Sequence, residues 1–235
     1  HINLPYLEEL VCTCSSQINS FDHLTNLKKL TSRQFKGTTI NLPGLKKLNC
    51  IYSFDLTERN INAPMLEKLV CSQTNINNYE QFIYLKILDC SNTKVEYINL
   101  PLLEVLICDY TKLKAFSHLK KLKKLKCDGF TGTIFHPTLK KLTCNNFLKS
   151  EIIIDTPELI SLDCSYNFIL SINAPKLRIL ICIKTNLNNF DHFVDLIELA
   201  CDFCKVKSIN LPKLEKLSCT RCDITYLNAP RLKKI

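Results

Sequence analysis

The phrase Leu-x-x-Leu-x-Cys recurs through the whole chain and limits the folds available to it. From its first leucine, Leu7, to the first leucine of the last copy, Leu232, twelve intervals cover 225 residues. One such short copy cannot bury its own leucines, so neighbouring copies must stack into a continuous core. Eleven copies are intact, Leu27 begins a copy with Ser in place of Cys, and the last copy is truncated.

The prolines give the same register independently. All nine lie two residues before the first leucine of a copy, as Pro43 does before Leu45. Proline lacks an N–H group, so it belongs just outside a central strand. Four copies instead carry an aromatic segment, at residues 21–24, 79–82, 116–119 and 190–193, where we expect a single helical turn.

Together these phrases resemble the leucine-rich repeat family, whose pattern is Leu-x-x-Leu-x-Leu-x-x-Asn/Cys/Thr-x-Leu. Here Cys replaces the third Leu, and Thr74 with Ile76 illustrates the later positions. The short spacing is similar to that of compact bacterial-effector members. The resemblance implies a repeat solenoid, a right-handed superhelix with a parallel β-sheet on its concave face and a convex side of extended segments and short turns, with little helix.

The limits of the chain suggest further sequence. We expect residues 1–235 to form a single leucine-rich-repeat domain of about 13 copies. The chain begins at His1 in mid-copy and stops at Ile235 in the slot of a second leucine. Because solenoids need polar terminal caps, we expect a longer protein, or a partner that covers the open ends.

Eleven of the 14 cysteines occupy one core position. Parallel side chains on stacked strands do not meet disulfide geometry, so we expect reduced thiols and an intracellular, reducing compartment, most simply the cytoplasm. A zinc-like spacing joins Cys201, Cys204, Cys219 and Cys222. In the repeat frame this spacing is a by-product of the period, and we expect core packing and no metal; zinc is the alternative.

Nothing in the sequence favours catalysis. His23, His118 and His192 recur in one phrase, as structural residues would, and four glycines cannot build a phosphate loop. We therefore expect no enzyme and no cofactor. No uncharged apolar run is long enough to cross a bilayer.

The residues on either side of each second leucine should face outward. Two apolar groups result, one of Ile87, Val105 and Ile107 and one of Ile179, Ile181 and Ile183. Clustered apolar exposure favours a partner site. The alternative is that β-branched residues simply favour strands.

A basic cluster spans Lys112 to Lys141 in a chain of net charge +9, and its Lys124, Lys126 and Lys141 fall on the same face. An acidic protein surface or a phosphate-bearing ligand would suit it, although a solvated face is the simpler interpretation. Aromatic residues do not alternate with these lysines along the sequence, which makes nucleic acid unlikely.

The resemblance implies a non-catalytic module that presents its concave surface to a protein partner. One alternative is a structural component of a larger assembly. Another is binding of an anionic surface or nucleic acid through the basic cluster. The sequence indicates no particular oligomeric state.

Overall fold

The computed structural model describes residues 4–13, 18, 20–146 and 151–235. It contains two compact units of similar size. The first comprises His1–Lys114 and His118–Leu122, and the second comprises Ala115–Ser117 and Lys123–Ile235.

The described part of the first unit contains eight strands. They are β1 (Glu9–Thr13), β2 (Lys29–Arg33), β3 (Ile40–Asn41), β4 (Lys47–Asn49), β5 (Ile61–Asn62), β6 (Lys68–Val70), β7 (Ile87–Asp89) and β8 (Val105–Ile107). The repeat strands β1, β2, β4, β6, β7 and β8 pair in parallel in that order, and the short strands β3 and β5 pair with each other.

Eleven strands occur in the described part of the second unit. They are β9 (Lys124–Lys126), β10 (Gly132–Phe135), β11 (Lys141–Thr143), β12 (Glu151–Asp155), β13 (Ser161–Asp163), β14 (Phe168–Asn173), β15 (Ile179–Ile181), β16 (Glu198–Ala200), β17 (Ser208–Asn210), β18 (Lys216–Ser218) and β19 (Tyr226–Asn228). Strands β9, β11, β13, β15, β16 and β18 form the parallel repeat sheet. A second parallel sheet contains β10, β12 and β14, and β17 pairs with β19.

The register follows the repeat. Each second leucine pairs with the next, as Leu48 does with Leu69 and Leu69 with Leu88. First and second leucines of the inner copies are almost fully buried. The predicted solenoid, with parallel strands and little helix, is therefore confirmed.

Cysteine fits the third position because its thiol can reach the backbone of the next copy. Cys71 Sγ lies 3.4 Å from the carbonyl oxygen of Asp89, and Cys90 Sγ lies 3.6 Å from that of Ile107. The residue three positions later satisfies the carbonyl of the cysteine itself, since Thr74 Oγ1 donates to Cys71 at 2.7 Å. The small thiol thus fills the core while acting as a weak hydrogen-bond donor.

The aromatic copies differ from expectation. Their segments form successive hydrogen-bonded turns, such as Phe82 N–H to Tyr79 O (2.9 Å) and then Leu85 N–H to Phe82 O (3.0 Å), and not a helical turn. The only helix among the described residues is a 3₁₀ turn at Glu58–Asn60.

A tight turn follows the repeat strands, and its geometry recurs. The second residue after the core position has a positive φ in most copies. These residues are Gln34, Tyr52, Gln73, Asn92, Tyr110, Gly129, Tyr166, Lys184, Phe203 and Arg221. Left-handed backbone is unfavourable for most side chains, so this slot combines exposure with strain.

Candidate functional site

The outward side of the repeat strands, here called the strand face, carries the residues selected from the sequence. In the first unit, Ile87 pairs with Val105 on the adjacent strand, and Ile107 follows two residues later. All three side chains are half-buried. The structure therefore brings this apolar group together.

Two lysines extend the same row. Lys47 pairs with Lys68, and Lys68 pairs with Ile87. No carboxylate of the described residues lies within ion-pair distance of either ammonium. The sequence places both lysines in outward-facing positions, but they were not selected as site residues, because the sequence does not show which lysines lack a carboxylate partner.

A similar arrangement occurs in the second unit. Lys124 pairs directly with Lys141, both are exposed, and neither has a carboxylate partner among the described residues. Like charges on adjacent strands repel, so this pair costs stability unless an anion binds. Lys126 differs, because its ammonium forms an ion pair with Asp128 at 3.0 Å.

The second apolar group lies further along this face. Ile179 and Ile181 point outward from β15, half-buried, and Ser161 of β13 separates Ile179 from Lys141. Ile183 lies in the turn that follows, where its N–H donates to Ser165 Oγ at 3.2 Å. In both units, an unpaired lysine pair and aliphatic side chains share one surface.

The remaining basic cluster is partly neutralised. Lys112 pairs with Glu96 at 3.5 Å, and Lys140 pairs with Glu158 at 2.7 Å. Hydrogen bonds from Lys140 and then Lys176 lower the pKa of Glu158 to about 2. These exposed pairs hold lysines that the sequence alone would count as available.

The zinc-like cysteines hydrogen-bond to backbone. Cys204 Sγ donates to the carbonyl of Cys182 at 3.0 Å, and Cys222 Sγ donates to that of Cys201 at 3.1 Å. Asn167 makes the same link, to Cys144 at 2.6 Å, so these thiols occupy the asparagine slot of the repeat. The described residues include no group of three or more His, Cys, Asp or Glu arranged to hold a metal.

Cys50, Cys71, Cys90 and Cys164 keep their protons because they are buried, whereas a hydrogen bond with Cys182 lowers the pKa of Cys204 to about 6. Burial raises the pKa of Cys71 to about 12 and that of Cys50, Cys90 and Cys164 well above the usual range. A protonated thiol is a poor nucleophile and a poor metal ligand. The thirteen described cysteines form no disulfide with one another, and Cys14 lies outside the described residues.

The histidines have structural environments. His136 is fully buried and accepts the N–H of Thr138 on Nδ1 at 3.3 Å. His118 contacts the carbonyl of Ile98 through Nε2 at 2.5 Å and stacks on Tyr97. Across the described ranges, no helix is long and apolar enough to span a membrane.

The repeat, its register and its strand face define a leucine-rich-repeat solenoid. Solved structures are similar to it along most of its length. The functional domain of InlJ from Listeria monocytogenes, which includes a cysteine ladder, aligns with 96% of this chain at 23% identity and a TM-score of 0.63. The internalin InlF from Listeria monocytogenes aligns with 97% of this chain and 86% of its own, at 17% identity and a TM-score of 0.63.

A third structure, TLR13 in complex with ssRNA13, aligns with 89% of this chain and 41% of its own, at 17% identity and a TM-score of 0.60. The present chain spans 58% of the InlJ chain that it matches. Neither a protein-family model nor a curated protein matches the sequence. These likenesses establish the leucine-rich-repeat fold.

Proposed function

We propose that this chain is a non-catalytic protein-binding module that contacts its partner through the strand face. The observation that carries the proposal is that, in both units, a lysine pair without a carboxylate partner shares the strand face with half-exposed aliphatic residues. Lys68, which pairs with Lys47, adjoins Ile87 in the first unit, and Lys124 and Lys141 lie on the face that carries Ile179 in the second. Interfaces combine an apolar centre with charged surroundings in this way.

The charge favours an acidic partner. Two lysines on adjacent strands, about 4.8 Å apart, repel each other in the free protein. An acidic surface removes that repulsion on binding and speeds association. Nucleic acid on the strand face is the second candidate, supported only by the RNA complex of TLR13, and the isoleucines argue against it.

A pull-down from the cells that make the protein tests the proposal. We expect wild type to retain a partner and Ile179→Glu/Ile181→Glu to lose it, because two buried contacts become charged. The matched control is Phe168→Glu/Leu170→Glu on β14 of the same unit, where the original side chains are 45% and 52% exposed.

The control also separates the alternatives. Loss of the partner only with the β14 variant would reject the strand face and favour a component held in an assembly by another side. Retention by both variants would reject the isoleucine site. Lys124→Gln/Lys141→Gln should weaken retention mainly at low salt, since screening already reduces the effect at high salt.

A further inference from the structure

The strained turn slot forms a column of side chains in the second unit. Four successive copies place Tyr166, Lys184, Phe203 and Arg221 there, with φ of 64°, 53°, 61° and 56°. These residues are 18 or 19 positions apart in the sequence. Because equivalent positions of stacked copies are neighbours in space, the four side chains form what we call the turn column.

Aromatic rings and cations alternate in this column. Lys184 Nζ lies 5.5 Å from the ring centroid of Tyr166 and 5.1 Å from that of Phe203, and the guanidinium of Arg221 lies 5.2 Å from the Phe203 centroid. Cation–π contacts of this length are attractive. They restrict two long side chains that would otherwise lose rotamer freedom on binding, so both charges are pre-positioned.

The positive charges of the column are not neutralised within the unit. Among the described residues, no carboxylate lies within ion-pair distance of Lys184 or Arg221. The nearby carboxylate of Asp202 is engaged, since it accepts hydrogen bonds from Ser218 Oγ at 2.8 Å and from the N–H of Thr220 at 2.6 Å. Glu198 on the adjacent strand pairs with Lys216 at 3.2 Å.

The positive φ of this turn position does not explain why Tyr, Lys, Phe and Arg occupy it. Left-handed backbone favours Gly or Asn, which this slot uses at Gly129 and Asn92. Phe203 instead exposes 42% of its surface in a strained conformation. Strained residues of this kind cluster at functional sites.

An apolar surface adjoins the column. Ile183 directly precedes Lys184, and Ile181 points outward from the strand before it. Phosphates alone would need no such neighbours, and Lys184 and Arg221 already lie over the ring of Phe203 on which a base would stack. The combination fits carboxylates beside aliphatic side chains, which is protein chemistry.

We propose that the turn column binds an acidic segment of a protein partner, with carboxylates on Lys184 and Arg221 and an aliphatic side chain against Ile181 and Ile183. This inference rests on the proposed protein-binding function and specifies the chemistry of the partner. The aromatic rings act as spacers that hold the two cations in place.

Fluorescence anisotropy of a labelled short peptide of alternating Glu and Leu tests the proposal on the full chain. We expect Lys184→Gln/Arg221→Gln to weaken binding about tenfold or more. Phe203→Leu should weaken it several-fold although the net charge is unchanged, because the cations lose their spacer. Lys205→Gln/Arg231→Gln, which removes the same charges elsewhere in the unit, should bind within about twofold of wild type.

Several results would overturn the proposal that the turn column binds an acidic segment. They are absence of peptide binding by wild type, equal losses in the test and control variants, or tighter binding of an oligouridylate that Lys184→Gln/Arg221→Gln abolishes. The last result would assign the column to nucleic acid. If the column variant binds the peptide normally and Ile179→Glu/Ile181→Glu still loses the cellular partner, the strand-face function stands and the column is rejected. Circular dichroism of each variant separates lost binding from lost folding.

Discussion

The buried cysteines should make this protein sensitive to alkaline pH, and Cys71→Ala tests that expectation. Cys71 is fully buried, and burial holds its pKa at about 12. In the unfolded chain the thiol ionises near pH 8.5. The unfolded state therefore releases a proton that the folded state keeps, and the free energy of unfolding falls as pH rises above about 8.5.

The size of the effect follows from the difference between the pKa of the thiol in the unfolded chain and its pKa in the folded chain. At about pH 10 one thiol lowers the free energy of unfolding by about 2 kcal/mol, and the loss continues toward pH 12. Cys50, Cys90, Cys144 and Cys164 are equally buried, with pKa values raised mainly by desolvation. Their ionisation shifts stability in the same direction, so the loss for the whole chain exceeds that of one thiol.

Urea unfolding followed by circular dichroism, with reductant present, measures the effect. Near neutral pH we expect Cys71→Ala to be less stable by about 1 kcal/mol, because core packing is lost. At about pH 10 the order should reverse, with the variant more stable by about 1 kcal/mol, since it no longer has that thiol to ionise. A cost of Cys71→Ala that does not change with pH would refute the reasoning, because the lysine titrations and those of the tyrosines other than Tyr79, whose hydroxyl lies 3.6 Å from Cys71 Sγ, are common to both proteins.

Two further substitutions test the register and the turn. Leu106→Asp should destabilise the protein by about 4 kcal/mol or more, because it buries an unpaired charge. Val105→Asp, on the outward side of the same strand, should cost only about 1 kcal/mol. Equal losses of thermal stability in the two variants would mean that Leu106 does not face the core. Tyr110→Asn should stabilise the protein by about 1 kcal/mol, because Asn tolerates the φ of 54° better than Tyr does. Tyr84 is exposed but has no positive φ, so Tyr84→Asn should bring no such gain. Equal stabilities of the two variants in urea unfolding would show that this turn position is not strained.

The core was predictable from the sequence because burial and period agree at each copy. Leu48 and Cys50 repeat in phase with Leu69 and Cys71, and all four are buried. The outward direction of Ile179 and Ile181 follows from the alternation of side chains along a strand. The prediction of a single domain that is part of a longer protein stays a prediction, as does the intracellular compartment.

The asparagine residues before the prolines were only partly predictable. The sequence places them in equivalent positions, which suggests a ladder that caps backbone groups, but the bonds link side chains to each other. Asn62 Nδ2 donates to Asn41 Oδ1 at 2.7 Å, and Asn228 Nδ2 donates to Asn210 Oδ1 at 2.8 Å. The backbone N–H of Asn41 is instead satisfied by Asp22, at 3.0 Å.

Which surface lysines form ion pairs could be read only from the structure. Copies differ in length, so the partner of a given lysine depends on the local register; Lys140 reaches Glu158 whereas its neighbour Lys141 faces Lys124. The turn column was not apparent in the sequence either, because its residues become neighbours only when the copies stack. No aromatic residue alternates with lysine along residues 112–126 except Phe116, but rings and cations alternate when residues 18 or 19 apart become neighbours.

The repeat separates stability from recognition by slot. Leucine and cysteine hold the core at each copy, so the outward strand positions and the left-handed turn position can vary without changing the fold. A change in one slot affects mainly the copies directly above and below it. Surface chemistry is therefore organised in columns across copies. Tyr166, Lys184, Phe203 and Arg221 lie 18 or 19 positions apart in the sequence, and together they make the recognition surface that we propose.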